Sequence, residues 1–238
     1  MAAGSGLLAK SAAYKEHIVK QRADGLSGEV AKVRADMKSA VAAMAALAVE
    51  EWTNAIAATT NSIKTSIATA IAAVTYSGTD LNGATGAAAF IAPRRVSVTQ
   101  VEAGDHYQGT ITVKGLDAQG LAISDTIALT VNPGGANTTT GTTKYFAKVT
   151  SIVVPAQKDA LGHFLFGEFG ATLGLVRPIK TRAALAFIFK EVVDGAVVTT
   201  GSAVDAATAP PYGAYTPAAA PNGAHDYAVY YEYDASKG

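Results

Sequence analysis

The spacing of apolar residues changes along this chain, and that change limits what it can fold into. Near the start, Val30, Val33, Met37, Ala40, Met44 and Leu47 lie three and four apart, which in a helix gathers them on one face. Ile56, Thr60, Ile63, Ile67, Ala70 and Val74 repeat the spacing, two residues out of phase with the first set. A bend between Val49 and Thr53 accounts for the offset. An earlier break is expected at "DGLSGE", where Gly25 and Gly28 interrupt the pattern and Ser27 can cap the following helix. Residues 5–75 therefore read as two or three helices. Alanine dominates them, as in "AVAAMAALAV"; it favours helix and close approach but buries little area, so such a stripe needs another surface. Trp52 sits beside the bend, as an interface anchor or a core side chain.

Beyond "TYSGTDLNGATG" the period becomes two. Alternation groups Val96 with Val98, Ile111 with Val113, and Ile127 with Leu129 and Val131. It also groups Phe164 with Phe166, Leu185 with Phe187 and Phe189, and Tyr227 with Val229, Tyr231 and Tyr233. Short alternating strands separated by turn signals indicate an antiparallel sandwich or a small barrel. "VVDGAVV" around Asp194–Gly195 is the strongest hairpin signal. "GLDAQG", Gly115 to Gly120, has a strand on each side and Asp117 in turn position, and reads as a hairpin loop; a Ca²⁺ loop needs more carboxylates.

With 238 residues, 49% of them hydrophobic and 16% charged, the chain can bury a core and is not disordered throughout. Its formal net charge is zero, without the basic field of a nucleic-acid binder. Arg94–Arg95 and Arg177, Lys180 and Arg182 cluster, but without interleaved exposed aromatics they do not make a nucleic-acid groove. There is no cysteine, which excludes disulfides, thiolate metal sites and a cysteine nucleophile. No stretch has the length of a spanning helix and no secretory signal is convincing, so a soluble protein is expected.

The sequence offers no constellation for catalysis. His17, His106, His163 and His225 lie far apart and lack the spacing of a helical zinc site. Asp105–His106 and His225–Asp226 have no G-x-S-x-G nucleophile turn to serve, and no glycine-rich phosphate loop is present. Tyrosines cluster in "PPYGAYTP" and "YYEYD", where they serve as core, as a subunit contact or, at Tyr212, Tyr215 and Tyr230, as stacking platforms for sugar rings.

Four segments carry a family resemblance. They are "PRRVSVT" (Pro93 to Thr99), "TVKGLDAQG" (Thr112 to Gly120), "DTIAL" (Asp125 to Leu129) and "FAKVTSI" (Phe146 to Ile152). Together they resemble the Ig-like β-domain of virion proteins of tailed bacteriophages, and the ending "GAYTPAAAPNGAHDYAVYYEYD" is similar to the ends of such proteins. The resemblance spans about residues 90–238 and leaves the Ala-rich part uncovered. It implies a non-enzymatic role as a capsid decoration or cement protein, or as a head fibre, tail or head–tail junction part. The partners it implies are the major capsid protein or other virion proteins, met during assembly in the host cytoplasm.

These readings give an α+β chain. An Ala-rich α-helical assembly segment is expected over residues 1–77, followed by an antiparallel β-sandwich domain over 78–238 with a linker at 78–89. No catalytic residue, cofactor, metal, nucleic acid or membrane is expected. The candidate assembly interface is Val30, Val33, Met37, Met44, Trp52, Ile56, Ile63, Ile67 and Val74. Narrow stripes of this kind zip helices together, so a homo-oligomer is expected, with a trimer favoured. A carbohydrate-binding β-module is the alternative from another class.

Overall fold

A computed structural model describes residues 20, 25, 27–37, 47–83, 89–102, 104–131, 137–182, 185–186 and 188–235. The chain divides between Ala46 and Leu47 into two units. In the first, residues 27–37 form a helix, α1, whose side chains are all exposed. Gly25 is also helical and Gly28 lies inside α1, so the break expected at "DGLSGE" does not fall at these glycines.

The second unit is built of antiparallel strands. Its first half holds β1 (Leu47–Trp52), β2 (Lys64–Ala68), β3 (Val74–Ser77), β4 (Ala89–Arg94), β5 (Val96–Gln100), β6 (Thr110–Leu116), β7 (Ala122–Ala128), β8 (Thr138–Gly141) and β9 (Phe146–Val154). There follow β10 (His163–Glu168), β11 (Leu173–Gly174), β12 (Thr181–Arg182), β13 (Leu185–Ala186), β14 (Ile188–Val193), β15 (Ala196–Val198), β16 (Ser202–Val204), β17 (Ala214–Thr216) and β18 (Tyr227–Glu232).

The helical reading of residues 47–77 is overturned. Leu47–Trp52, Lys64–Ala68 and Val74–Ser77 are strands, and β-structure begins at residue 47 rather than 78. Two physical reasons stand out. The stretch "TTNSIKTSI" is rich in Thr, Ser, Asn and Ile, which lose side-chain freedom in a helix or compete with its hydrogen bonds. In addition, β1 finds a complete partner in β18, in register from Leu47 opposite Glu232 to Trp52 opposite Tyr227. The segment before β2 also passes so close to β10 that a Cβ on Gly167 would stand 1.9 Å from the Thr59 carbonyl oxygen. The expected linker at 78–89 is partly structural, since Leu81 is buried in a core.

Two apolar cores organise the unit. The first is filled from the sheets β2-β10-β5-β8 and β3-β9-β6-β7, the latter with β4 also on β9. Val96, Val98, Ile111, Val113, Phe146, Ile152, Phe164 and Phe166 meet there. Alternation marks the buried apolar positions in β6 and at Phe164 and Phe166 of β10, whereas every residue of β5 is buried. The second lies against β1-β18-β14-β15 and β11-β17-β16 and gathers Trp52, Leu173, Tyr215, Tyr227, Val229 and Tyr231. Its residues come mainly from both ends of the unit: Ala48, Trp52 and Ala55 before the first core, and Leu173 to Tyr231 after it, with Ala92 of β4 added from the stretch between. Residues 63–166 thus form an inserted core, and β1 closes a ladder with the last strand.

Both expected hairpins are present. Asp194 and Gly195 join β14 to β15 with φ of 50° and 80°, the conformation a two-residue turn of this kind requires. The Asp117 to Gly120 loop joins β6 to β7. One pairing departs from the reading: in "LAFIF" the register shifts between Ile188 and Lys190, and Phe189 is exposed.

Candidate functional site at the seam between the two cores

Alternation along β1 turns Ala48, Glu50 and Trp52 inward and leaves Leu47, Val49 and Glu51 outside. Cross-strand register then places Glu50 opposite Val229, with Glu191 of β14 opposite Val229 on the other side. Two glutamates therefore flank one valine on the buried face of the sheet. Each is held by a tyrosine: Tyr231 donates to Glu50 Oε1, and Tyr215 donates to Glu191 Oε2 at 2.5 Å. A third pair lies where the cores meet, Tyr212 donating to Asp117 Oδ2 at 2.8 Å. The donors are neutral hydroxyls, and a buried carboxylate oxygen that loses its donor carries a large desolvation cost.

Glu50 is the most perturbed of the acids. Burial in apolar surroundings pushes its carboxyl up from 4.5 to about 7, against the hydrogen bonds from Tyr231 and the Val176 N–H and the charge of Arg177. The Val176 N–H reaches Oε1 at 2.6 Å, whereas Oε2 is closed off from solvent without a hydrogen-bond partner. The three phenols shift the same way. Desolvation and the adjacent carboxylates raise Tyr212 to about 12 and lift Tyr215 and Tyr231 well above the ordinary phenol value.

Over β1 lies a cleft of about 500 Å³, with walls from both cores. One wall is β1 itself with Val176 and Arg177; the other is Phe90, Ile91 and Pro93 of β4 with Ala118 and Ala147. In its sheet β1 is the outer strand, so one backbone edge has no strand partner among the described residues. A second, smaller space of about 260 Å³ lies behind Phe90 and Ile91, lined by Ile56, Arg94 and Glu168. Arg94 and Glu168 are buried and 3.9 Å apart. Arg94 also donates to the Ile56 carbonyl at 2.5 Å and the Gly170 carbonyl at 3.1 Å, tying the entry and the exit of the inserted core together. Burial lowers the Arg94 pKa and raises that of Glu168, each against the attraction of the other.

The "GLDAQG" loop fastens the two cores. Asp117 Oδ1 accepts from the Gln119 and Leu121 N–H groups, which shapes the turn, while Oδ2 takes the Tyr212 hydroxyl. Gln119 Nε2 donates to the Val176 carbonyl at 3.1 Å, and Ala118 packs against the second core. Elsewhere three histidines each face one carboxylate: His106 with Asp159, His163 with Glu102 and His225 with Asp194. Tyr107 adds to the second pair, its hydroxyl lying 3.2 Å from Glu102 Oε2 and 3.1 Å from the His163 carbonyl oxygen. Among the described residues no group of three or more His, Cys, Asp or Glu is placed to hold a metal.

The candidate interface residues scatter. Val30, Val33 and Met37 lie exposed on α1, while Met44 falls outside the described residues. Trp52 and Ile63 are buried, in the second and first cores respectively. Ile67, on β2, packs half-buried against the first core, and Val74 is half-buried on β3. Ile56 lines the smaller space. The seam from Ile56 to Val74 is therefore body structure and not a helical contact face. The reading missed Glu50, Arg94, Glu168 and Glu191, because no local pattern marks a charged residue whose burial depends on a distant strand. Of the tyrosines proposed as sugar platforms, Tyr212 and Tyr215 are buried with their hydroxyls engaged, and Tyr230 is half-buried with Lys190 over its ring. The chain matches no protein-family model, no curated protein and no solved structure.

Chemically, a carboxyl with a pKa near 7 is suited to proton transfer. At Glu50, however, one oxygen is committed to Tyr231 and Val176 and the other is shut from solvent. The geometry serves to hold β1 against β18 and the 176–177 turn.

Proposed function

We propose that this protein is a non-enzymatic structural component of a tailed-phage virion, a decoration or cement protein that binds the outside of the assembled head. The observation that carries the reading is where the phage-like segments fall. Pro93–Thr99 runs through β4 and β5, Thr112–Gly120 is the end of β6 and its turn, Asp125–Leu129 ends β7, and Phe146–Ile152 opens β9. All four belong to the inserted core, whose two facing antiparallel sheets suit an Ig-like sandwich. The fastened seam also suits a part that must keep its shape while bound.

The mechanism is mass action: a protein that binds the intact shell and not the disrupted one raises shell stability. The test is to strip the protein from particles, heat them with and without it restored, and follow DNA release. Restoration is expected to raise the release temperature, and an unchanged temperature at saturating protein overturns the cement role. Immunogold label on the head is expected; label confined to the neck or tail moves the protein to a junction or tail part.

A further inference from the structure

Helix α1 exposes all of its side chains, including large apolar ones: Val30 at 46%, Val33 at 56% and Met37 at 62%. Gly28 inside α1 lowers its helix propensity, and most helical stability in proteins comes from packing of one face rather than from propensity. The three apolar residues stand at positions a, d and a of a heptad, one narrow seam. The charges beside the seam decide what covers it. Glu29 falls at g and Arg34 at e, five residues on. In a parallel, in-register pair of helices, g of one copy faces e of the next heptad of the other, so Glu29 meets Arg34 in both directions. An antiparallel pair sets g beside g, bringing Glu29 and Asp36 of the two copies together as like charges. The outward positions of α1 carry Ala31, Lys32 and Ala35, with Lys32 four residues from Asp36.

We infer that copies of this chain associate through α1 in parallel and in register, along Val30, Val33 and Met37, with Glu29 of each copy against Arg34 of a neighbour. The contact is self-complementary in sign, which a seam made for an unrelated partner has no need to be. Self-association and shell binding are separate properties, and either can fail without the other.

The chain has no cysteine, so one introduced thiol gives an unambiguous test. In full-length Val33→Cys, mild oxidation is expected to give a covalent dimer, because in-register d positions meet across a parallel seam. Lys32→Cys, on the outer side of α1, is expected to remain uncross-linked. Light scattering on the unaltered protein at micromolar concentration is expected to give a multiple of 24.2 kDa. Glu29→Lys and Arg34→Glu are each expected to weaken association several-fold, and the two together to restore it. A monomeric mass overturns the inference. So does an oligomer in which Lys32→Cys cross-links and Val33→Cys does not, or one indifferent to both charge reversals. All of these positions are exposed, and hydrogen exchange in β5, β9 and β18 reports whether the strands of each variant remain folded.

Discussion

The first core closes with Phe146, Phe164, Phe166 and branched aliphatic side chains, and its strands follow one another within residues 63–166. The second is assembled mainly from the two ends of the unit and holds Glu50 and Glu191 among Trp52, Tyr215, Tyr227 and Tyr231. The difference shows how each half is specified. Apolar packing tolerates any close-fitting surface, whereas a buried carboxylate is stable only where a particular donor meets it. The second core therefore uses its acids to fix which strands pair: Glu50 needs Tyr231 of β18 and the Val176 N–H, and Glu191 needs Tyr215 of β17. A core whose strands come from distant parts of the chain gains the most from such selectivity.

Emptying each core in turn separates the two. Phe164→Ala in the first and Trp52→Ala in the second are each expected to cost ~3–5 kcal/mol in denaturant unfolding. Hydrogen exchange separates them: Phe164→Ala is expected to expose β2, β5 and β10 first, and Trp52→Ala to release β1 and β18 while the inserted strands stay protected. Loss of protection in both cores at once, in both variants, means that they form one cooperative unit and refutes the distinction.

The next effect is read in pH. Glu50 has a folded pKa of about 7 against an ordinary 4.5, so folding favours its protonated form. The stability this group contributes is fully present below about 4.5 and is lost as pH rises through 7. The loss is about 3 kcal/mol by pH 9, at about 1.4 kcal/mol per pKa unit. Glu50→Gln is expected to remove that slope, so that its unfolding free energy falls less between pH 5 and pH 9 than that of the unaltered protein. Parallel pH profiles for the two proteins refute the assignment. Glu168, at the end of β10, is also buried with its pKa raised but faces Arg94. Strands β6 and β9 contain no acidic residue, so equilibrium exchange there is expected to follow Glu50 only if the seam couples the two halves.

A smaller effect tests the seam. Tyr212→Phe leaves the buried Asp117 Oδ2 without its donor, an expected cost of about 1–3 kcal/mol. The double variant Tyr212→Phe with Asp117→Asn separates loss of the bond from loss of the turn, because Oδ1 of Asp117 also accepts from Gln119 and Leu121. If neither variant changes the difference in exchange between the two cores, the clasp does not transmit stability between them.

Local chemistry in the sequence determined the inserted half well. Alternation in "TITV" and "HFLF" marks buried side chains, because successive residues of a strand face opposite ways wherever it pairs; in "VSV" Ser97 is buried along with both valines. Asp194–Gly195 and "GLDAQG" are legible as turns because the backbone there demands residues that tolerate positive φ or cap their own loop. The helical reading agrees with the described residues before Leu47: Lys20, Gly25 and α1. From Leu47 to Ser77 the sequence carries a helical spacing of apolar residues that the tertiary structure overrides, since β1 pairs with a strand some 180 residues away. The acids at the seam were decided wholly by that pairing. In "LAVEEW", Glu50 and Glu51 are equal neighbours, and only the register with Val229 and Tyr231 turns one into a buried group near pKa 7 and leaves the other in water. Local patterns fix which way a residue points along its own element; what it then meets depends on contacts that the sequence holds far apart.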